Sequence, residues 1–196
     1  MTVTLIRHSI TQGNLERRYI GSTDQPLCEE GEELARRVLD RMPLAERVFC
    51  SPMLRARQTA ALLFPHHNER VVVEGLRECD FGVCEGMTYP ELMELEDVRE
   101  WLENRKALPP PGGEDPLDFA RRCRESFLEV LGRLYDEKVG SAAFVLHGGS
   151  IMSLMSQLAS PQRGFYEWRV KNCEGFVLEG CSLKEPLTLI ETLQHL

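Results

Sequence analysis

No stretch of the chain comes near the roughly 20 consecutive apolar residues that a membrane-spanning helix needs. No basic segment followed by a long apolar core opens it, so neither a membrane protein nor a secreted one is expected. Positive charge is in deficit: 23 Lys and Arg stand against 31 Asp and Glu, a net charge of −8. A nucleic-acid binder would usually carry a basic field, which removes that class of partner from the expectations. A small anionic substrate survives the same test, because a few arginines in a cleft override the global charge locally. Cys-x-x-C pairs are absent, and the seven cysteines (Cys28, Cys50, Cys79, Cys84, Cys123, Cys173 and Cys181) are odd in number. That disfavours a disulfide framework and a structural zinc site. It fits small apolar core residues in a reducing compartment, with the cytoplasm as default. Internal repeats and low-complexity segments are also lacking.

Several signatures of phosphate chemistry are missing too. No cysteine has an arginine six positions on, since Cys50 is followed by Arg55 at five and Arg57 at seven. There is no Asp-x-Asp of an aspartyl-phosphate enzyme and no G-x-x-x-x-G-K of a P-loop. Acidic residues and histidines do not cluster at metal-ligand spacing, and His66-His67 after Pro65 reads as an exposed turn. Neither a metal nor a cofactor is expected.

What is present suits one globular domain of 196 residues, 42% hydrophobic and 28% charged. Short β-branched and apolar runs predict strands at 1–6, 47–50, 71–74, 142–146, 176–178 and 187–190, the last two forming a closing hairpin. Helical periodicity predicts helices at 29–42, up to 64 from a Ser51 cap with Pro52 in the first turn, 91–103, 116–138 and 150–158. Ala120, Cys123, Phe127, Val130 or Leu131, and Leu134 mark the buried stripe of the fourth. Alternating strands and helices point to a three-layer α/β/α sandwich with a mostly parallel sheet. The irregular stretch 75–113 is too long for a connector in such a fold and is expected to be an insertion over an active site.

Two histidines stand at strand ends. Arg7-His8-Ser9 closes the first apolar run, and His147-Gly148-Gly149 closes the run 142–146. Ligands of open α/β sheets bind outside the carboxyl ends of strands, so the two histidines are expected to share a pocket. Singly each feature is weak: an Arg-His dipeptide is common, helical arginines are usually solvated, and a Gly-Gly pair makes a tight turn. Together they supply the parts for phosphoryl transfer through histidine. Neutral imidazole is a nucleophile at pH 7 without further activation. Arg7 and Arg55 offer planar forks to phosphoryl oxygens, and His147 can donate as charge shifts in the transition state. Glu78, in the stretch over the site, can protonate the leaving alkoxide and then accept a proton from water.

The ordered segments LIRHSITQGN, RRYIGSTDQPLCEEG, SPMLRARQTA, LRECDFGVCEG, PPGGED and FVLHGGSIM resemble the motifs of the histidine phosphatase superfamily in its phosphoglycerate-mutase-like branch, from residue 5 to about 155. The resemblance implies that His8 is the phosphorylated nucleophile, that Arg7, Arg55 and His147 form the phosphate pocket, and that Glu78 donates the proton. It also places Asn14 on the phosphate, Gly21 near the leaving group and Gly148 among the substrate-binding positions. Three residues depart from the pattern: Ser9 for the glycine after Arg-His, Leu146 for a small hydroxyl residue, and Cys84 for a tryptophan. Serine is tolerable at position 9 if φ stays negative. The implied activity is metal-independent hydrolysis of a small phosphorylated metabolite. Short members of the branch include α-ribazole phosphatases, broad phosphatases and enzymes of sugar phosphates. A phosphoglycerate mutase and a non-catalytic phosphate-binding regulator are the alternatives. The oligomeric state is not legible.

Overall fold

A computed structural model describes residues 1–103, 108–180 and 182–195, so Cys181 lies outside the described residues, as do positions 104–107 of the expected insertion. The strands are β1 (Thr2–Arg7), β2 (Arg47–Cys50), β3 (Val71–Val72), β4 (Ser141–Leu146), β5 (Ala159–Ser160), β6 (Gly175–Glu179) and β7 (Leu187–Leu193). They form one sheet in the order β3-β2-β4-β1-β6-β7-β5. Only β6 runs against the rest, pairing antiparallel with β1 and β7, while every other pairing is parallel. The expected closing hairpin is β6-β7. The helices are α1 (Gln12–Leu15), α2 (Glu29–Val38), α3 (Leu54–Leu63), α4 (Tyr89–Met93), α5 (Glu96–Glu103), α6 (Pro116–Asp136) and α7 (Gly148–Leu158). Among the described residues no helix is long and apolar enough to cross a membrane.

Alternation along the strands builds two cores. Val3, Leu5, Phe49, Phe144 and Leu146 face α6 and α7, while Ile6, Val48, Cys50, Ala143 and Val145 face α2 and α3. Successive side chains of a strand point to opposite faces, so one sheet serves both helical layers. A third, smaller core of Cys84, Leu92, Val98 and Trp101, packed with Tyr19 and Phe81, organises the stretch after β3. Cys84 therefore substitutes inside that core and does not line the cavity.

Several local expectations shift. Residues 71–74 pair only at Val71–Val72, an exposed edge, and the chain then turns into a short 3-10 helix at Glu74–Leu76. The helix expected at 91–103 is broken into α4 and α5, with Thr88 and Glu91 forming a reciprocal cap for the first. On α6 the buried stripe starts at Phe119 rather than Ala120, because the larger ring takes the core-facing position one residue earlier. Residues 51–53 are not helical: α3 starts at Leu54, and Ser51 is diverted to another task.

Candidate active site

Strand register assembles the site. β1 and β4 are parallel neighbours with Arg7 opposite Leu146, so the next residue of each, His8 and His147, emerges beside the other. Their ring centroids lie 5.2 Å apart at 60°. β2 pairs with the far side of β4, with Cys50 opposite Val145. That brings Ser51 to the same edge, where its hydroxyl lies 2.6 Å from Nε2 of His147. Three adjacent parallel strands thus end in His8, His147 and Ser51.

Each histidine is wired differently. Nδ1 of His8 donates to the Ser9 carbonyl at 2.6 Å. A carbonyl only accepts, so the proton is on Nδ1 and the lone pair on Nε2 is exposed for attack. His8 is buried, and burial first, then the charges of Arg7 and Arg55, push its pKa well below the ordinary imidazole value. Its ring is neutral at pH 7. Burial and the same arginines also lower His147. Nε2 of His147 is paired with the Ser51 hydroxyl, and its Nδ1 is buried with no partner among the described residues.

Ser9 settles into its place without strain. Its φ is not among the positive values, its hydroxyl donates to the Gly31 carbonyl at 2.6 Å, and its amide donates to Thr59 at 2.9 Å. Thr59 in turn donates to the Arg55 carbonyl at 2.7 Å.

The arginines are held by carbonyls rather than carboxylates. Arg55, with no exposed surface, donates to the Thr23 and Gly21 carbonyls at 2.9 and 2.8 Å. Arg7 donates to the Val170 carbonyl at 2.8 Å. In both, Nε is buried with no partner among the described residues. The loop that carries the Gly21 and Thr23 carbonyls is gathered around Glu85. Its carboxylate accepts from the amides of Gly21, Ser22, Thr23 and Phe81 and from the Thr23 hydroxyl. Burial raises the Glu85 pKa, but these donors outweigh it and hold the carboxyl below the ordinary range.

Glu78 behaves in the opposite way. It is buried, and burial raises its pKa against the opposing pull of two amides, Cys79 at 3.0 Å and Gly149 at 2.8 Å, and of Arg55 and Arg7. Gly149 is needed there: a Cβ would lie 2.4 Å from Oε1 of Glu78. Gly148 has no such constraint, since its Cβ would meet the Arg7 guanidinium at ordinary contact distance. Arg122 on α6 fixes the loop behind Glu78. It donates to the carbonyls of Gly75, Arg77 and Glu78 and pairs through two 2.6 Å bonds with Glu114.

A cavity of about 540 Å³ opens over these groups. Arg7, His8, Asn14, Glu78, Gly148 and Gly149 line it, whereas Arg55, His147 and Gly21 lie outside its lining. Gly21 acts instead through its carbonyl, on Arg55. The outer wall has Tyr19, Ile20, Phe81, Met152 and Val170 beside Arg17 and Arg169. Sequence reasoning passed over Ser51 as a partner of His147, and over Thr59, Arg122 and Asn172. Glu114 stood inside a quoted motif without a role, and Glu85 was read only as a substitute acid, with Asp80, should Glu78 merely shape the pocket. His66-His67 is a turn away from the cavity, with His66 exposed. Among the described residues no group of three His, Cys, Asp or Glu is arranged to hold a metal ion.

The profile of the histidine phosphatase superfamily (branch 1) matches residues 3–184. An adenosylcobalamin/alpha-ribazole phosphatase of Salmonella typhi is 30% identical over 194 residues, 90% of this chain and 93% of its own. The crystal structure of the alpha-ribazole phosphatase from Shigella flexneri superposes with a TM-score of 0.85 at 26% identity, covering 98% of this chain and 96% of that one. A phosphoglycerate mutase from Thermus thermophilus superposes with a TM-score of 0.73 at 28% identity, covering 100% and 99%. With the motifs in order, the fold in common and the match running through most of the chain, this protein belongs to branch 1 of the histidine phosphatase superfamily.

Proposed function

We propose that the chain is a phosphomonoester hydrolase that passes the phosphoryl group through Nε2 of His8. One observation carries the reading: Nε of Arg7, Nε of Arg55 and Nδ1 of His147, whose side chains act on or adjoin His8, are all buried with no partner among the described residues. An unsatisfied buried polar group costs about 1–3 kcal/mol, and more when charged. Three in one site are explained by an anion that they jointly bind. The N-terminus of α7, which begins at Gly148, adds its own positive potential.

In the first step Nε2 of His8 attacks phosphorus and the bond from phosphorus to the ester oxygen breaks. The departing oxygen takes the proton of Glu78, whose raised pKa keeps it protonated at higher pH than an ordinary carboxyl. Arg7, Arg55, His147 and the Asn14 amide hold the phosphoryl oxygens throughout. In the second step water attacks the phosphohistidine and gives its proton to the Glu78 carboxylate. The N–P bond breaks, its electrons return to Nε2, and inorganic phosphate leaves. The protein ends each cycle in its starting protonation state.

The outer wall has room for a leaving group well beyond a phosphate, and the closer fold match is to a phosphatase. The substrate is therefore read as a small phosphorylated metabolite, with α-ribazole phosphate and sugar phosphates first in a panel. The mutase reading has the Thermus thermophilus structure in its favour. Inorganic phosphate release from the panel, set beside isomerisation of 3-phosphoglycerate primed with bisphosphoglycerate, separates the two. Hydrolysis dominating upholds the proposal, and primed isomerisation outrunning release overturns it. A chain that binds phosphate esters without turnover would instead be the non-catalytic regulator.

A further inference from the structure

Resting on the phosphohistidine reading, we propose that Asn172 is a positioning residue for the nucleophile, aiming both Nε2 of His8 and the side-chain amide of Asn14 at the phosphoryl group. Nδ2 of Asn172 lies 2.9 Å from the His8 carbonyl, 3.1 Å from the Ser9 carbonyl and 3.1 Å from Oδ1 of Asn14. Two hydrogens thus serve three acceptors, and each acceptor matters to the reaction.

The Ser9 carbonyl is the group that takes Nδ1–H of His8. Holding it in place fixes the tautomer that leaves Nε2 nucleophilic. Oδ1 of Asn14 also accepts from the Thr11 amide at 3.2 Å. With that oxygen engaged twice, Asn14 presents its NH₂ to the cavity it lines. A carbonyl turned the other way would repel the phosphoryl oxygens.

Asn172 is itself built into position. The turn at 170–174 wraps the end of β1: Arg7 donates through its guanidinium to the Val170 carbonyl, the Cys173 amide donates to the Arg7 carbonyl at 2.9 Å, and the Arg7 amide donates to the Glu174 carbonyl at 2.9 Å. Cys173 takes a left-handed φ of 58° to make this turn. On the outer side Nε2 of His195 donates to the Asn172 carbonyl at 2.7 Å. Its backbone is thus held by the turn and by His195, while its side-chain amide points back at the His8 and Ser9 carbonyls.

The test is the rate of phosphoenzyme formation in rapid quench with p-nitrophenyl phosphate, measured across pH. Asn172→Asp keeps the shape but replaces the donor with a carboxylate facing three acceptor oxygens. The charged and titratable groups around His8 are Arg7, Arg55 from α3, Glu78 from the loop after β3, and His147. An added anion among them favours the imidazolium, so the acidic limb of the burst should move to higher pH. Misplacement of a reacting group costs about 10²-fold, and a loss of that order is expected for the Asp variant. Asn172→Ser, which keeps one short donor, should be faster than Asn172→Ala, and this ranking decides the matter if the Asp variant does not fold. A residue that merely joined two strands would lower the melting temperature and leave the acidic limb and the Ser–Ala ranking unmoved. That result, with folded variants, overturns the proposal. A wild-type chain with no burst fails earlier, on the phosphohistidine reading itself.

Discussion

The ends of β1 and β4 differ less in composition than in wiring. Both strands are buried and parallel, and both end in a histidine whose basicity burial suppresses, with the same arginines nearby. At the end of β1 the ring nitrogen nearest the chain is tied to a carbonyl, which leaves a lone pair outward. At the end of β4 the far nitrogen is tied to the Ser51 hydroxyl, which leaves the near nitrogen buried with no partner among the described residues. On the proposed reading the first histidine is the nucleophile and the second is free to contact the phosphoryl group. Residue type sets what a ring can do, and the partner of its second nitrogen decides which of the two it does.

Breaking each side of this comparison should give unequal losses. Replacing His8 by Ala removes the proposed nucleophile, so hydrolysis and the trapped phosphoenzyme should both vanish in a radiolabel assay. Glu78→Gln leaves the nucleophile but removes the proton donor, which should slow alkyl phosphates by about 10²–10⁴-fold. Aryl phosphates need little protonation and should lose much less in the burst. Equal loss for both leaving groups would reduce Glu78 to a shaping role. Glu85 could not then inherit the task easily, since its donors hold it ionised. Because His8 is depressed and Glu78 raised, the acidic limb of kcat/KM should fall below the ordinary imidazole pKa. The basic limb should lie above the ordinary carboxyl pKa.

His147→Ala removes one donor to the developing charge, worth about 10²–10³-fold in kcat. Ser51→Ala keeps that ring but removes the partner of its Nε2. A buried hydrogen bond is worth about 1 kcal/mol, so a loss of roughly fivefold to tenfold in kcat is expected, with KM little changed. A loss as large as that of His147→Ala would mean that Ser51 contacts the substrate itself. Smallest of all is the effect of chelation. Two arginines and a histidine donor can neutralise a phosphoryl dianion, so phosphate release should persist in EDTA. Full loss restored by a divalent ion would break the scheme.

The layers and the two histidines were legible because they rest on strong local signals: alternating apolar runs, amphipathic helices and the residues that end them. That His8 and His147 share a pocket was inferable from strand ends alone, while the β1–β4 register that aligns them was not. Ser51 was misread because Ser-Pro before a helix has the chemistry of a cap, and only the β2–β4 pairing reveals His147 beside it. Phe119 and Ala120 are both compatible with a helical stripe, and the choice between them depends on the facing sheet. Arg122 and Asn172 carry no local signature at all. Each acts on a segment far along the chain, Arg122 on the Glu78 loop and Asn172 on the His8 turn. Such residues become visible only when the chain is folded.

The central claim is that Nε2 of His8 becomes covalently phosphorylated. The direct measurement is to quench wild-type protein into alkali during turnover of a labelled phosphomonoester and map the label by mass spectrometry. An acid-labile, alkali-stable phosphate on Nε2 of His8, formed and lost fast enough to account for turnover, is the predicted result. Turnover without label on His8, or label on Ser51 or on Nδ1, would contradict it.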